Sequence, residues 1–335
     1  MKKARKSILI SIVLIAISLI LIALELMMGT ISIPFSNLVQ ILLDPDLAQN
    51  GWNYIIWEIR FPRALTAFSC GISLSIAGLV LQTLFRNPLA GPSVLGISSG
   101  ATLGVSLWLL AGGLGLSAIV STAIAALIGS WMVLLLLIWI AGRLRDNVSL
   151  LIFGIMLSFL VGAFVNVLEF KSTDTALRAF INWGMGSFSH TGWTETMLLL
   201  LAGIIILIVL AFMVNPLNAL LLGDDVAHSI GVSVKKNRII IILLTGILVG
   251  LTTAYCGPIA FIGLAVPHIG RMILRTSDHR YLLPVVCAAG GTVSLICDFV
   301  AQHLVDGGLP INTVTSAIGA PIVMFLIFKG GKNKT

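Results

Sequence analysis

The chain has 335 residues, of which 58% are hydrophobic and only 10% are charged, and its formal net charge is +7. Soluble domains carry about 25% charged residues, so this composition excludes a soluble globular fold, which would need a polar exterior. The positive charge does not require a nucleic-acid partner, because membrane topology explains it better.

Apolar segments that are long enough to cross a bilayer recur along the whole chain. A helix needs about 20 such residues to span a hydrocarbon core of ~30 Å. We therefore predict an all-α membrane protein that forms a single transmembrane domain over residues 1–335. Its ten predicted spans are 7–28, 56–84, 93–110, 117–140, 148–170, 194–214, 239–255, 261–274, 282–303 and 313–328. The eighth is short for a full crossing, so we expect it to be tilted or broken.

The first span follows the basic stretch KKARK, an arrangement that a secretory signal peptide would also show. Its apolar part is about a full span long, and no convincing small-residue cleavage site follows it. We interpret it as a retained first helix.

Basic residues fall mainly on one side of these spans. With the N-terminus in the cytoplasm, 16 of the 20 Lys and Arg lie inside, and Arg60, Arg63, Lys171 and Arg178 lie outside. Such a bias follows the positive-inside rule, and a missed span would place the basic residues after it on the opposite side. We therefore predict a multi-pass membrane protein with both termini cytoplasmic. The inner set is Lys2, Lys3, Arg5, Lys6, Arg86, Arg143, Arg145, Lys235, Lys236, Arg238, Arg271, Arg275, Arg280, Lys329, Lys332 and Lys334.

Residues 86–100 read RNPLAGPSVLGISSG and interrupt the apolar pattern after the second span. Pro88 cannot continue a helix and restricts the residue before it, so the chain turns there. The following small residues, Ser98 and Ser99 among them, allow helices to approach closely. Tight packing and the lining of a wide neutral pathway both explain this run.

Two loops are long enough to have a role of their own. Outside, residues 171–192 suit a short amphipathic helix, with Trp183 and Phe188 at the membrane interface. Inside, residues 215–237 have helical periodicity, and Gly223 and Gly231 divide them into two short helices. This inner loop is either a docking surface for a soluble partner or an ordinary interfacial loop.

Polar residues within membrane spans are candidates for function. Glu25 lies near the outer end of span 1, where we expect it to reach the interface. Asn166 and Glu169, near the outer end of span 5, are placed to line a cavity. A structural hydrogen bond is favoured for His268 over metal binding, and Asp298 is expected to pair with a neighbouring helix.

Metal and catalytic sites have no sequence support. The cysteines and histidines form no ligand cluster, and no HExxH or GxSxG motif occurs. We expect the four cysteines to be small core residues, and we expect the chain to bind no metal or cofactor of its own. The cysteines are Cys70, Cys256, Cys287 and Cys297.

Several ordered motifs resemble one known family across almost the whole chain. They are IRFPR (59–63), RNPLAGPSVLGISSGA (86–101), LLGDDVAHSIGV (221–232), GPIAFIGLAVPHIGR (257–271) with DHRYLLP (278–284), and GLPINTVTSAIGAPI (308–322). This set is similar to the permeases of type II ABC importers for iron-siderophores, haem and cobalamin. The resemblance implies a location in the bacterial inner membrane, a dimer of ten-helix subunits, two cytoplasmic ATPase subunits and an outer substrate-binding protein. A homodimer is the simpler expectation; a pseudo-symmetric heterodimer is the alternative.

ATP and Mg²⁺ would then be bound by the partner ATPase, because this chain has no GxxxxGK[ST] phosphate loop. The inner loop matches the family's coupling helices, which insert into a groove of the ATPase. By this resemblance, the ATPase contacts are Leu221, Gly223, Asp224, Ala227, Ile230 and Gly231.

Docking of the binding protein is expected at Arg60 and Arg63, since Arg60 matches a family arginine that pairs with a glutamate of that protein. Anchoring to lipid headgroups is the alternative for Arg60. Gln302 replaces a second docking arginine, and Gly308 replaces the glutamate of the family's ELP sequence. We therefore expect different docking electrostatics here.

In the family, the inner gate lies between spans 4 and 5, where Asn147 and Val148 align by position. Together with Ser98, Ser99, Asn166 and Glu169, they form our predicted set of pathway and gate residues.

The sequence thus predicts a permease subunit of an ABC importer for a metal chelate, an iron-siderophore or haem, with cobalamin close behind. A secondary transporter that works without an ATPase is the alternative. It should show intramembrane charges at broken helices and an internal repeat, and neither is clear. A membrane enzyme or scaffold is disfavoured, because catalytic motifs are missing from the sequence.

Overall fold

The computed structural model describes residues 2–43, 51–112, 121–144, 146–305 and 307–332. Residues 117–120 of the fourth predicted span, Arg145 and Lys334 lie outside the described residues. Within the described ranges every regular element is helical, which confirms the predicted all-α class.

The helices follow one another in a simple order. They are α1 Lys2–Met27, α2 Phe35–Leu43, α3 Trp52–Leu84, α4 Ile97–Leu109, α5 Thr122–Ala141, α6 Asn147–Lys171, α7 Asp174–Gly184, α8 Trp193–Phe212, α9 Val214–Leu221, α10 Asp224–Ser229, α11 Val234–Cys256, α12 Ile262–Leu274, α13 His279–His303 and α14 Ile311–Lys332. The start of α3 includes a π-helical segment, Ile55–Arg60.

Ten of these helices correspond to the ten predicted spans. Among the described residues, seven (α1, α3, α5, α6, α8, α11 and α13) are long and apolar enough to cross a membrane. The apolar helices α4, α12 and α14 are shorter. Helix α12 has 13 residues and contains Pro267, so it extends only about 20 Å. The expectation of a short eighth span is therefore confirmed.

The burial of the helices separates an inner group from an outer group. In α3, 83% of the most apolar window is buried, and in α11 and α13 the share is 72%. The corresponding share is 11% in α1, 22% in α6 and 28% in α8. Helix α3 is therefore the central helix of the bundle, and it packs on α13, α12, α11 and α8.

Glycines set the close approach of the inner helices. A Cβ atom at Gly78 of α3 would overlap the backbone oxygen of Gly263 in α12. A Cβ atom at Gly100 of α4 would lie 2.5 Å from the backbone oxygen of Gly129 in α5. Contact between backbones is how helices associate without a hydrophobic force between them. The small residues after Pro88 thus serve tight packing in this chain.

The N-terminus lies at the same end of the bundle as α9 and α10. The Lys6 ammonium donates to the Ile273 carbonyl oxygen at 2.6 Å, and the Ser7 hydroxyl donates to the Tyr281 carbonyl oxygen at 2.7 Å. Since α9 is hydrogen-bonded to the start of α13, these segments share one end, which we call the α9–α10 end. The opposite end, where α3 begins, is the Arg60 end.

Two expectations about single residues can be compared with the structure. All four cysteines are free and buried, which confirms their role as core residues. The expectation that Phe188 lies at the membrane interface was wrong. Its side chain is 1% exposed and belongs to a core cluster with Leu199 and Leu295.

Candidate functional site

Helices α9 and α10 present an apolar surface at their end of the bundle. Gly223, with φ of 115°, separates the two helices in a conformation that favours glycine. Leu222, Val226 and Ile230 are 68%, 42% and 60% exposed, and we call these three side chains the α10 patch. An apolar group of this kind at a membrane protein's polar end indicates a protein contact.

Helix α9 is held to the start of α13 by a polar cluster. The Asn218 amide donates to Asp278 Oδ1 at 2.7 Å, and the His279 backbone N–H donates to Asn218 Oδ1 at 2.9 Å. Arg280 donates to Asn215 Oδ1 at 2.8 Å. Burial alone would raise the pKa of the Asp278 carboxyl, but the Arg280 N–H, the Asn218 amide and the Arg280 charge lower it overall. These contacts explain why DHR stands at 278–280.

Helix α10 is held by its first residue, Asp224. The Asp224 carboxylate lies 3.7 Å from the Arg86 guanidinium and 3.9 Å from that of Arg238. The Arg238 side chain is only 4% exposed, and it also donates to the Leu144 carbonyl oxygen at 3.0 Å. The Asn147 amide donates to Asp224 Oδ2 at 3.5 Å.

The predicted gate residues lie at the start of α6. Asn147 is 5% exposed, and its amide donates to the Leu84 carbonyl oxygen at 2.9 Å. Val148 is 61% exposed. Asp146 caps the helix by accepting from the Ser149 N–H at 2.7 Å. The hydrogen bonds from the Ser149 backbone and hydroxyl lower the pKa of the Asp146 carboxyl.

An open cavity of about 800 Å³ separates the α5–α6 turn from α10. Its walls carry Arg143, Asp225, His228, Lys235 and Arg238. The cavity therefore borders both α10 and the turn that precedes the predicted gate.

The six predicted coupling residues divide by exposure. Ile230 and Gly231 are exposed, and Leu221 and Asp224 are half-buried. Gly223 and Ala227 are buried, with Ala227 at 0% exposure, and their role as ATPase contacts stays a prediction. A short helix on a membrane domain must bury one face to be held there.

At the Arg60 end, the first predicted docking arginine is turned inward. The Arg60 guanidinium donates to the Leu26 carbonyl oxygen at 2.7 Å and to that of Ile31. It lies against Gly29, where a Cβ atom would be 2.7 Å from Arg60 Nη2. Arg60 therefore fixes the segment that follows α1.

The second predicted docking arginine, Arg63, forms a two-point ion pair with Asp298. Its Nε and Nη2 donate to the two Asp298 oxygens at 3.0 and 2.8 Å. Gln302 also donates to Asp298, at 3.0 Å. The Asp298 side chain is 1% exposed, so the expected helix-packing partner of Asp298 is Arg63.

Glu25 is buried beside this pair. It is 3% exposed, and neither carboxylate oxygen has a hydrogen-bond partner in the described part of the chain. Its predicted position at the membrane interface was wrong, because α1 packs against α13 and the Glu25 side chain is buried in the bundle. An open cavity of about 700 Å³ lies beside Arg63 and is also lined by Gln302, His303 and Gly308.

The other predicted residues lie apart from these clusters. The Ser98 hydroxyl is 3.4 Å from that of Thr253 on α11, Ser99 and Glu169 are half-buried, and Asn166 is exposed on α6. Their role in a pathway stays a prediction. His268 makes a hydrogen bond to the Pro88 carbonyl oxygen at 3.0 Å, as expected for a structural histidine.

Sequence reasoning missed the roles of Asn218 and Arg238. Both were visible as polar residues in or beside the half-apolar stretch 215–237. Their partners are distant in sequence, so no local signal could pair Asn218 with Asp278 or Arg238 with Asp224.

Comparison with known proteins gives a consistent result. The model of the FecCD transport family matches residues 15–329. The hemin transport system permease protein HmuU of Yersinia pestis is 38% identical over 310 residues, which cover 90% of each chain. The vitamin B12 import system permease protein BtuC of Escherichia coli O1:K1 is 36% identical over 278 residues, which cover 83% of this chain and 84% of the relative.

Solved structures are similar as well. A metal-chelate type ABC transporter in an inward-facing conformation matches with a TM-score of 0.83 and 30% identity, over 96% of this chain and 99% of that chain. PsaBC from Streptococcus pneumoniae, in complex with Fab, matches with a TM-score of 0.57 at 15% identity, which shows a shared fold alone. From the matched residues 15–329 and from relatives at 36–38% identity, the chain belongs to the FecCD transport family.

Proposed function

We propose that this chain is the membrane-spanning permease subunit of an ATP-driven importer for a metal chelate. The observation that carries the proposal is the α10 patch, an apolar surface whose helix is tied by Asp224 to the predicted gate. A transporter that is driven by a separate motor needs such a surface at the end where the motor binds.

The proposed motor is a pair of cytoplasmic ABC ATPase subunits. Leu222, Val226 and Ile230 supply the apolar contact, and Gly231 lies beside them on the surface. In the same arrangement, the α9–α10 end is cytoplasmic. The positive-inside rule supports this orientation, because the N-terminal lysines and the basic residues Arg86, Arg238 and Arg280 gather at that end.

A second copy of the chain and a substrate-binding protein complete the proposed importer. The binding protein docks at the Arg60 end, beside the cavity near Arg63. Because Arg60 and Arg63 are both engaged within the chain, an acidic residue of the binding protein would have to compete with the Leu26 and Ile31 carbonyls or with Asp298.

The proposed cargo is an iron-siderophore or haem, with cobalamin next. Relatives named for hemin and for vitamin B12 transport, and a similar structure of the metal-chelate type, support this class. Such a cargo arrives with its metal already chelated, so the pathway itself has no need of metal ligands.

The test uses the purified permease in lipid nanodiscs with its cognate ATPase. Ile230→Arg should lower ATPase binding at least tenfold, because a charge replaces an exposed apolar side chain of the α10 patch. Ile181→Arg, on an exposed residue of α7 at the Arg60 end, is the matched control and should leave ATPase binding unchanged. Equal binding by both variants would contradict the assignment of the docking surface.

A second measurement separates the two transporter classes. Vesicles that contain the permease, its ATPase and a haem-loaded or siderophore-loaded binding protein should accumulate cargo only with ATP. Uphill accumulation by the permease alone would instead support the secondary transporter.

A further inference from the structure

Asp224 faces the membrane domain, although it belongs to the helix that carries the α10 patch. Its side chain is 30% exposed and lies near Arg86, Arg238 and Asn147. The next residue, Asp225, is exposed, and both aspartates line the open cavity beside α10. The two neighbouring carboxylates therefore differ in exposure, and it is Asp224 that lies within 4 Å of the Arg86 and Arg238 guanidinium groups.

The negative charge of Asp224 is important because it lies beside Arg238, which is buried. A guanidinium that is 4% exposed has lost most of its water, and it needs an opposite charge and hydrogen-bond acceptors nearby. Asp224 supplies the charge at 3.9 Å, and the Leu144 carbonyl supplies an acceptor. Because Leu144 lies in the α5–α6 turn, Arg238 connects that turn to α10.

Asn147 provides the second connection. One amide nitrogen donates both to the Leu84 carbonyl at the end of α3, at 2.9 Å, and to Asp224, at 3.5 Å. The longer contact is at the limit of a hydrogen bond, so a displacement of α10 by about 1 Å would break it while the shorter one persists.

We propose that Asp224 is a positioning residue that latches the start of α6 to α10, so that movement of α10 is transmitted to the gate at Asn147. The latch rests on the proposed function, but it assigns Asp224 to the inner network and not to the ATPase interface. The three contacts, at 3.5, 3.7 and 3.9 Å, suit this role because a small displacement of α10 is enough to form or break them, which holds or releases the start of α6.

The first test needs no ATPase. Hydrogen exchange of residues 142–150 is measured in the purified permease for wild type, Asp224→Asn and the matched control Asp225→Asn. Asp224→Asn removes one charge at constant size, so the α5–α6 turn should open more often and exchange about tenfold faster. Asp225→Asn should exchange like wild type. Equal exchange in all three proteins would overturn the latch.

The second test measures cargo moved per ATP hydrolysed in reconstituted vesicles. Asp224→Asn should bind the ATPase normally and hydrolyse ATP, but move about tenfold less cargo per ATP, and Asp224→Glu should restore most of the ratio. A weakened ATPase complex would instead place Asp224 at the interface and refute the proposal.

A double-mutant cycle then tests whether Asp224 and Arg238 act as one unit. If they do, Asp224→Asn combined with Arg238→Gln should exchange no faster than the worse single variant. Additive effects would contradict the link. If wild-type permease binds no ATPase at all, the proposed function fails, while the exchange experiments still decide the latch.

Discussion

Both ends of the bundle join an aspartate to arginine, but they do so with different geometry. At the Arg60 end, Arg63 holds both oxygens of Asp298 at 2.8 and 3.0 Å, and Asp298 is 1% exposed. At the α9–α10 end, Asp224 lies 3.7 and 3.9 Å from Arg86 and Arg238 and is 30% exposed. The first arrangement is rigid and dry, and the second is loose and partly hydrated.

The difference in geometry suits the two groups to different roles: the Arg63–Asp298 pair stabilises the fold, and the Asp224 contacts transmit movement of α10. A buried two-point pair is strongly destabilised when one partner is removed, so it fixes α3 to α13. The contacts of Asp224 are longer and partly exposed, so breaking them costs less free energy than breaking the buried two-point pair, although Arg238 itself is buried. They are therefore suited to a contact that must form and break in each cycle. The same residue types therefore serve opposite purposes at the two ends.

The largest expected effect comes from comparing Arg63→Ala with Arg86→Ala. Arg63→Ala leaves Asp298 buried without its counterion and should destabilise the protein by about 3–5 kcal/mol. Arg86→Ala should change stability by less than about 1 kcal/mol, because the Arg86 side chain is 48% exposed. Thermal unfolding of both variants in nanodiscs measures the difference, and similar losses would break the comparison.

Replacing both partners sharpens the interpretation of that result. Arg63→Met combined with Asp298→Leu removes the pair without leaving a buried charge, so it should recover most of the stability lost in Arg63→Ala. Failure to recover would show that α3 and α13 are held there by something other than the charge balance.

A smaller effect on stability is expected where α3 packs against α12, between the two ends of the bundle. Gly78→Ala places a methyl group against the backbone of Gly263 and should destabilise by about 1–3 kcal/mol, because the backbones must separate. Gly162→Ala on α6 is the matched control, since no atom lies within 4 Å of its added Cβ. Denaturation of the two variants checks this, and equal stability would mean that α3 and α12 are not in tight contact.

The smallest effect on stability is expected at Glu25, where a substitution should stabilise the protein. Neither of its buried oxygens has a hydrogen-bond partner in the described chain, so Glu25→Met should stabilise the protein by about 1 kcal/mol. A rise in the thermal midpoint is the expected result. A fall would show that Glu25 meets a partner in the assembled importer.

The sequence predicted the architecture well, because each span carries its own evidence. Length and apolarity define a span locally, whereas the direction that the basic residues indicate for the spans stays a prediction. The ten helices, the turn at Pro88 and the free cysteines are local features of this kind. The positions of Glu25 and Phe188 failed, since the outward or inward face of a helix depends on its neighbours.

The candidate site was only partly predictable for the same reason. The motif LLGDDVAHSIGV marked the segment 221–232, but it did not show which of its residues face the membrane domain. Ala227 is at 0% exposure and Ile230 at 60%, although they are three residues apart.

What the sequence alone determined is the membrane class, the ten apolar helices and the segments that carry the family motifs. Only the tertiary structure decided that Asp298 pairs with Arg63 and that Asp224 meets Arg238 and Asn147. The physical reason is that a charge buried away from water must find a partner in space, and the packing of distant helices determines which partner is within reach.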